Sequence, residues 1–283
     1  MCIRDRLDTA LREIFPAAGP WIGNATVEDL VRHRSGIAAW TPLAARVGKR
    51  LSDARELADF LLSESLWPKT GRESRELATY SDLGYILWGL AAEKVTGRKL
   101  ADLLDLHVTG PLGIAPLGAL AGNPPPEQIV ECRLDNWKEV ELAAEQGLKL
   151  ARQAPFLRGV PQDGNARALG DLSGHAGLFA TADEMLALGR EWLHPGRVLT
   201  PSAVAHALAG EGPYALGWAR QSDDGSSGPA LAPGAYGHSG FTGGSLWIEP
   251  ARERIVLVLA HRLSSQVDMN PIRREIHRLA AEI

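Results

Sequence analysis

Apolar residues recur along this chain in two different rhythms, and the rhythms are unevenly distributed. Behind Thr26, Val27, Leu30 and Val31 fall on one face, and Thr26 with Asp29 three residues on makes a capping-box pattern. This predicts a helix that stops at Ser35-Gly36. A second helix is predicted to begin at Ser52. The clearest pattern follows Ser81, an expected N-cap: Leu83, Ile86, Leu87, Leu90, Ala91 and Val95 recur at helical intervals before Gly97, a residue suited to the left-handed turn that ends helices. Thr181 with Glu184 forms another capping box, Thr200-Pro201 places proline at a first helical position, and Asn270-Pro271 opens the last helix.

Strand spacing is concentrated late. Ser245 to Ile248, a Glu249-Pro250 turn, and Arg254 to Ala260, rich in Ile, Val and Leu, read as an antiparallel hairpin on which the terminal helix can pack. Residues 121 to 170, with Pro124, Pro125 and Pro126, and residues 221 to 237, rich in Gly, Ser, Ala and Pro, read as long loops. No internal repeat or linker-like shift in composition interrupts the chain, so one α+β domain is expected over 7–283. Residues 1–6 match neither rhythm, look like read-through from a sequencing adapter, and are set apart as foreign.

Composition narrows the function classes. With 283 residues, 45% hydrophobic and 23% charged, the chain is long enough to bury a full core without a covalent staple. A formal net charge of -4 with no basic run argues against nucleic acid as a partner. The longest aliphatic run, Ile255 to Ala260, is far short of the ~20 residues of a membrane helix, so no membrane span is expected. Arg4, Asp5, Arg6 and Asp8 break up any signal-peptide core. Cys2 and Cys132 lie far apart without a C-x-x-C pair, and the eight histidines include no H-E-x-x-H, so neither a metal nor another cofactor is expected.

Two short motifs can carry chemistry. Tyr80-Ser81-Asp82 sits where a loop enters the clearest helix, and His238-Ser239-Gly240 sits where a polar loop enters the hairpin. A tyrosine hydroxyl serves as a base only where a cation lowers its pKa from about 10. Gly240 allows close backbone approach, and the Phe241 N–H is placed to meet a developing oxyanion, which is acyl-transfer geometry in outline. Ser239 invites a rival reading as the nucleophile elbow of an alpha/beta-hydrolase esterase, but Phe241 stands where the second glycine belongs, and the order is loop, serine, strand. His175 is expected to be a structural, hydrogen-bonded histidine, and His33 to interact with a helix end.

Leu30 to Ile37 resembles an L-L-x-H-x-S-G-[LI] segment, Tyr80 to Tyr85 a Y-x-N segment, and His238-Ser239-Gly240 a K-T-G box. Gly174 to Thr181 and Gly240 to Gly243 followed by Leu246 to Ile248 add to the set. In order and spacing these resemble the serine beta-lactamase and penicillin-binding-protein superfamily, in its class C-like branch and especially the penicillin-binding-protein-4B-like serine hydrolases, over nearly all the chain after residue 6. The resemblance implies an antiparallel sheet with helices on both faces and a helical subdomain. It implies acyl-serine transfer on a small-molecule or peptide substrate: a peptide of D-Ala-D-Ala type, an ester or a beta-lactam. It points to the periplasm or cell envelope. Tyr80 then belongs to the base system, Asp82 positions the family's lysine, His238 and Ser239 face the substrate carboxylate or leaving group, and Gly240 and Phe241 border the oxyanion.

Three departures alter that picture. No serine here is followed by lysine three residues later, so the S-x-x-K nucleophile motif is absent. The family places it upstream of Leu30; the chain is therefore expected to be a fragment without its first strands and nucleophile helix, and inactive, since losing such a serine costs roughly 10⁶-fold in turnover. Such a loss would also expose a strand edge. Asp82 replaces an asparagine and, ionised, only accepts hydrogen bonds. His238 replaces a lysine and is charged only near or below about pH 6.5. The last two shift the expectation from beta-lactams toward esters or peptides. A non-catalytic muropeptide- or peptide-binding protein of the same fold is the alternative, and the oligomeric state stays open.

Overall fold

A computed structural model describes residues 6–19, 22–47, 54–63, 78–115, 129–130, 132–133, 135–153, 156–261 and 267–283. The predicted helix start at Ser52 lies outside them. In chain order the α-helices are α1 Leu11–Ile14, α2 Val27–Val31, α3 Leu43–Val47, α4 Ala54–Leu61, α5 Asp82–Thr96, α6 Leu100–Leu104, α7 Gly110–Leu112, α8 Trp137–Glu145, α9 Gly164–Ala168, α10 Ala182–Leu193, α11 Pro201–Leu208 and α12 Asn270–Ala280. The strands are β1 Cys132–Arg133, β2 Phe156–Leu157, β3 Ala219–Arg220, β4 Tyr236–Ser239, β5 Gly243–Glu249 and β6 Arg254–His261. The chain divides into two compact units, Met1–Leu104 with Gly118–Leu178, and Asp105–Leu117 with Phe179–Ile283.

The first unit is mainly helical. The capping box forms as predicted, with the Asp29 N–H donating to Thr26 Oγ1 at 3.1 Å and the Thr26 N–H to Asp29 Oδ2 at 2.9 Å. The helix it starts ends at Val31, earlier than the predicted stop, because His33 adopts a left-handed backbone with φ 57. Ser81 caps α5 by accepting the Gly84 N–H at 3.0 Å, and Gly97 closes it at φ 68. Leu83, Ile86, Leu87 and Ala91 of α5 bury against Leu11 and Ile14 of α1, Leu30 of α2, and Leu57 and Leu61 of α4, which makes α5 the spine of this core. Helices α8 and α9 lie inside the segment read as a long loop, which corrects that expectation. In α8 only Ala143 is buried, so no apolar stripe announced it, and α9 is a five-residue helix begun by the Asp163 cap.

The second unit holds an antiparallel sheet in the order β3-β4-β5-β6. The predicted hairpin is β5 with β6, in a register that pairs Trp247 with Val256 and Ile248 with Ile255. Strand β4 is a further correction: Tyr-Gly-His-Ser has no apolar alternation, yet it pairs with β5, and Gly237 leaves room for the Trp247 main chain and ring that a Cβ would overlap. Consecutive strand residues face opposite sides, and both faces are covered. Gly189 brings α10 close to Leu246 and Ile255, and His277 of α12 sets its ring 6.2 Å from that of Trp247. At the turn end of the hairpin, Glu249 is fully buried and accepts from the Ala232 N–H at 2.6 Å, Arg252 at 2.7 Å and Arg254 at 2.8 Å.

Leu87→Ala should lower global stability by about 2–5 kcal/mol in denaturant melts, because the cavity opens in the middle of the α5 core. Among the described residues β6 is an outer strand of its sheet, and its Leu259 is 58% exposed. Leu259→Lys is expected to reduce concentration-dependent light scattering, since a charge on an open edge opposes strand addition; equal scattering from both proteins would place self-association elsewhere.

Candidate functional site

The predicted site residues form two groups, one in each unit. In the first, main-chain hydrogen bonds pin the approach to α5 from both sides: the Thr79 N–H donates to the His33 carbonyl at 2.9 Å and the Asp82 N–H to the Ala39 carbonyl at 2.9 Å. Between them the Ser81 N–H donates to His33 Nδ1 at 3.0 Å, and the Ser81 hydroxyl donates to the Ala38 carbonyl at 2.7 Å. Tyr80 is thereby turned outward, 41% exposed, with its ring 4.7 Å from that of His33. Its hydroxyl hydrogen-bonds the Asp82 carboxyl. Tyr80 and Asp82 are therefore brought together as one pair. His33 acts through hydrogen bonds to the incoming loop, a different role from the helix-end interaction expected of it.

Asp82 is one of four titratable groups gathered in this unit. His175, its side chain 3% exposed, has Nε2 2.9 Å from Asp163 Oδ1 and Nδ1 2.6 Å from Ser173 Oγ. Asp163 also caps α9 through the Ala166 N–H at 2.7 Å. Glu139 of α8 accepts the Gly164 N–H at 2.7 Å. Burial pushes the Asp82 carboxyl above its ordinary range, against the charge of His175 and the Tyr80 hydrogen bond. Burial and the charge of Asp163 push Glu139 up to about 7. For His175 burial acts downward, but the bond and charge of Asp163, helped by the charges of Asp82 and Glu139, leave its pKa raised. For Asp163 burial acts upward and is outweighed by His175, the Ala166 N–H and Arg167, so its pKa is lowered. The structural, hydrogen-bonded reading of His175 holds, and its carboxylate neighbours were missed. Asp163 could have been found as a helix cap, but nothing in the spacing ties Glu139 to it.

In the second unit, His238 and Ser239 end β4 opposite Leu246 and Ser245, just past the 221–237 stretch expected to be a loop. Gly240 begins a tight turn in which its N–H donates to Gly244 at 2.8 Å and its carbonyl accepts from Gly243 at 3.1 Å. Phe241 lies at the tip, 48% exposed. Ser239 leads into this turn and an antiparallel strand rather than a helix, which counts against the nucleophile-elbow reading. Burial lowers the pKa of His238, and its Nδ1 lies 3.0 Å from the Ser239 carbonyl, so a neutral imidazole donating to that carbonyl stands where a K-T-G box has a permanent cation. Arg273 lies outside every motif of the sequence. It is 5% exposed and donates to the carbonyls of Gly240 at 2.8 Å, Gly244 at 3.1 Å and Gly243 at 3.2 Å, so α12 grips the whole turn from behind. Among the described residues no cluster of histidine, cysteine and carboxylate side chains could hold a metal, and no helix is long and apolar enough to cross a membrane.

The family model described as Beta-lactamase matches residues 4–281. An N-acetylmuramyl-L-alanine amidase of Bacillus subtilis (strain 168) is 28% identical over 267 residues, covering 85% of this chain and 57% of the relative. A protein of Escherichia coli (strain K12), which carries the provisional name D-alanyl-D-alanine carboxypeptidase, is 26% identical over 208 residues, covering 66% of this chain and 46% of the relative. The chain thus spans about half the length of the curated relatives it matches. Among solved structures, EstCE1, a hydrolase with promiscuous acyltransferase activity, superposes with a TM-score of 0.70 at 18% identity, over 97% of this chain and 78% of the other. At that identity the likeness speaks for the fold, a mixed one with an antiparallel sheet and helices.

The shifted carboxyls give stability a pH dependence. An acid whose pKa is raised on folding costs stability as pH climbs from its unfolded value through its folded one, here from 4.5 to about 7 for Glu139. Glu139→Gln keeps an acceptor for the Gly164 N–H and removes that cost. Its stabilisation over the parent should therefore be larger at pH 8 than at pH 5, by at most on the order of 3 kcal/mol, in denaturant melts at the two pH values. The Asp163–His175 pair bounds the same window. Its support is lost as pH rises through the raised histidine pKa and as pH falls through the lowered aspartate pKa.

Proposed function

This chain belongs to the Beta-lactamase family, and from that premise we propose that it is part of a serine hydrolase that transfers an acyl group to a serine and then to water. The observation that carries this reading is the Tyr80–Asp82 pair: an exposed phenol at the start of the buried spine helix, held by a carboxyl and pinned on both sides by main-chain bonds. The substrate class we propose is a cell-wall peptide of D-alanyl-D-alanine or muramyl-alanine type, in keeping with the names of the two relatives, and the place of action is the cell envelope.

In this reading a serine attacks the scissile carbonyl, its proton passes to the Tyr80 phenolate, and the same tyrosine returns a proton to the leaving amine. Water then repeats the sequence on the acyl-serine. The nucleophile and the lysine that lowers the phenol pKa form an S-x-x-K pair that the 283 residues do not contain. We assign it to a longer chain. In the second unit, the Phe241 N–H is proposed as an oxyanion donor on the turn fixed by Arg273, and His238 and Ser239 as the groups that meet the substrate carboxylate or leaving group. The neutral His238 and the acceptor-only Asp82 disfavour beta-lactams and leave peptides or esters. The absent S-x-x-K pair also favours a second reading, a peptide binder of the same fold without turnover.

The test is direct. A longer coding sequence that supplies the Ser-x-x-Lys pair should yield a protein labelled by a fluorescent penicillin or a fluorophosphonate, with the label lost on serine-to-alanine substitution. Tyr80→Phe should slow acylation by about 10²–10⁴-fold. The 283-residue chain alone should stay unlabelled. If no serine-dependent label forms on the longer protein, the acyl-serine reading is wrong and the binder reading takes its place.

A further inference from the structure

The helical unit carries more charge behind Tyr80 than proton transfer by a phenol requires. Asp82 at the start of α5, Glu139 on α8 and Asp163 at the cap of α9 are three carboxyls interacting with the single imidazole of His175. The segment that carries His175 is docked on the helix that carries Asp82. A Cβ at Gly174 would overlap the Tyr85 carbonyl and come within 3.1 Å of the Gly89 nitrogen, so only glycine lets this turn lie on the 82–85–89 face of α5. Both ring nitrogens of His175 are met by oxygens, Asp163 Oδ1 at 2.9 Å and Ser173 Oγ at 2.6 Å, so a doubly protonated ring has an acceptor for each N–H. The nearby guanidinium of Arg167 donates to the carbonyls of Pro161 and Gln162, so it is engaged at the edge of the cluster.

We propose that His175 is a positioning residue for the Tyr80–Asp82 pair: its imidazolium, clamped between Asp163 and Ser173, is the counter-charge that keeps Asp82 a carboxylate, and Asp82 in turn fixes the Tyr80 hydroxyl. Three mutually repelling carboxyls in a desolvated site need a cation, which His175 supplies, and Glu139, pushed up to about 7, is a carboxyl of the same cluster that also changes charge near neutrality. The bond and charge of Asp163 and the charges of Asp82 and Glu139 raise His175 against its burial, and the charge of His175 in turn acts downward on Asp82 against the burial that leaves that carboxyl raised. Deprotonation of His175 removes the charge that Asp82 faces and loosens the hold on the phenol, which ties the orientation of Tyr80 to pH through a residue that touches no substrate. The catalytic meaning of this coupling rests on the acyl-serine reading; the coupling itself does not.

It can therefore be measured on the 283-residue chain, which has no S-x-x-K nucleophile. The experiment is an NMR titration with 13C labels on the Tyr80 Cζ and Asp82 Cγ and 15N on the His175 ring. Both carbon resonances should show an inflection at the midpoint of His175. Asp163→Asn should lower that midpoint and carry both inflections with it. His175→Gln should abolish them and raise the Asp82 midpoint, with the amide spectrum reporting that each variant is folded. A histidine that titrates in the unsubstituted chain while neither carbon moves would overturn the proposal, whether or not the variants fold. Failure of serine labelling in the longer protein would leave these titrations unchanged, so the two readings fail separately.

Discussion

The buried hydrogen bond from the Ser81 main chain to the His33 ring decides how the helical unit presents its chemistry. His33 is 4% exposed and sits in a left-handed conformation, an uncommon choice for a residue with a side chain. That conformation ends α2 and aims the ring at the chain entering α5, where it accepts an N–H that would otherwise be buried without a partner, at a cost of about 1–3 kcal/mol. The same residue offers its carbonyl to Thr79 and its ring face to Tyr80 and Tyr85. Two stretches nearly fifty positions apart in sequence thus lock into one corner, and Tyr80 is exposed because everything around it is tied down.

The sheet unit solves an equivalent problem with charge. Its turn runs from β4 through Gly240, Phe241 and Thr242 to Gly243 at the start of β5. The Arg273 guanidinium reaches three of its carbonyls from α12, and a planar fork of donors is suited to several acceptors at once. Burial of Arg273 is tolerable because its hydrogen bonds to Gly240, Gly243, Gly244 and Asn270 replace hydration. The turn is thereby tied to α12 through three of its carbonyls.

How much of this was legible in the sequence depends on whether the signal was local. Helix α5 was readable from end to end, because Ser81, the apolar repeat and Gly97 each act within a few residues. The β5–β6 hairpin was readable for the same reason. Strand β4 was not, since Gly237 and His238 owe their strand conformation to the Trp247 ring and the neighbouring ladder rather than to propensity. Helices α8 and α9 escaped because one buries almost nothing and the other is a single capped turn. Tyr80-Ser81-Asp82 and His238-Ser239-Gly240 stood out as motifs, whereas Arg273 and the carboxyls around His175 act across long sequence separations that no spacing rule spans.

Electrostatics gives the two substituted positions a common logic. An asparagine at position 82 would need no counter-charge, and a lysine at position 238 would need no neighbouring acid to stay protonated. Aspartate and histidine reverse both statements. A carboxyl as desolvated as Asp82 is costly to ionise, and the imidazole on the turn docked against its helix offsets that cost within the same unit. Burial pushes His238 the other way, toward neutrality, so the sheet unit offers a hydrogen-bonding ring without a fixed charge. In the helical unit His175 faces the Asp82 carboxyl beside Tyr80; in the sheet unit Arg273 faces main-chain carbonyls and the Asn270 side chain. Both groups are engaged within their own units, His175 by Asp163 and Ser173 and Arg273 by the 240–244 turn.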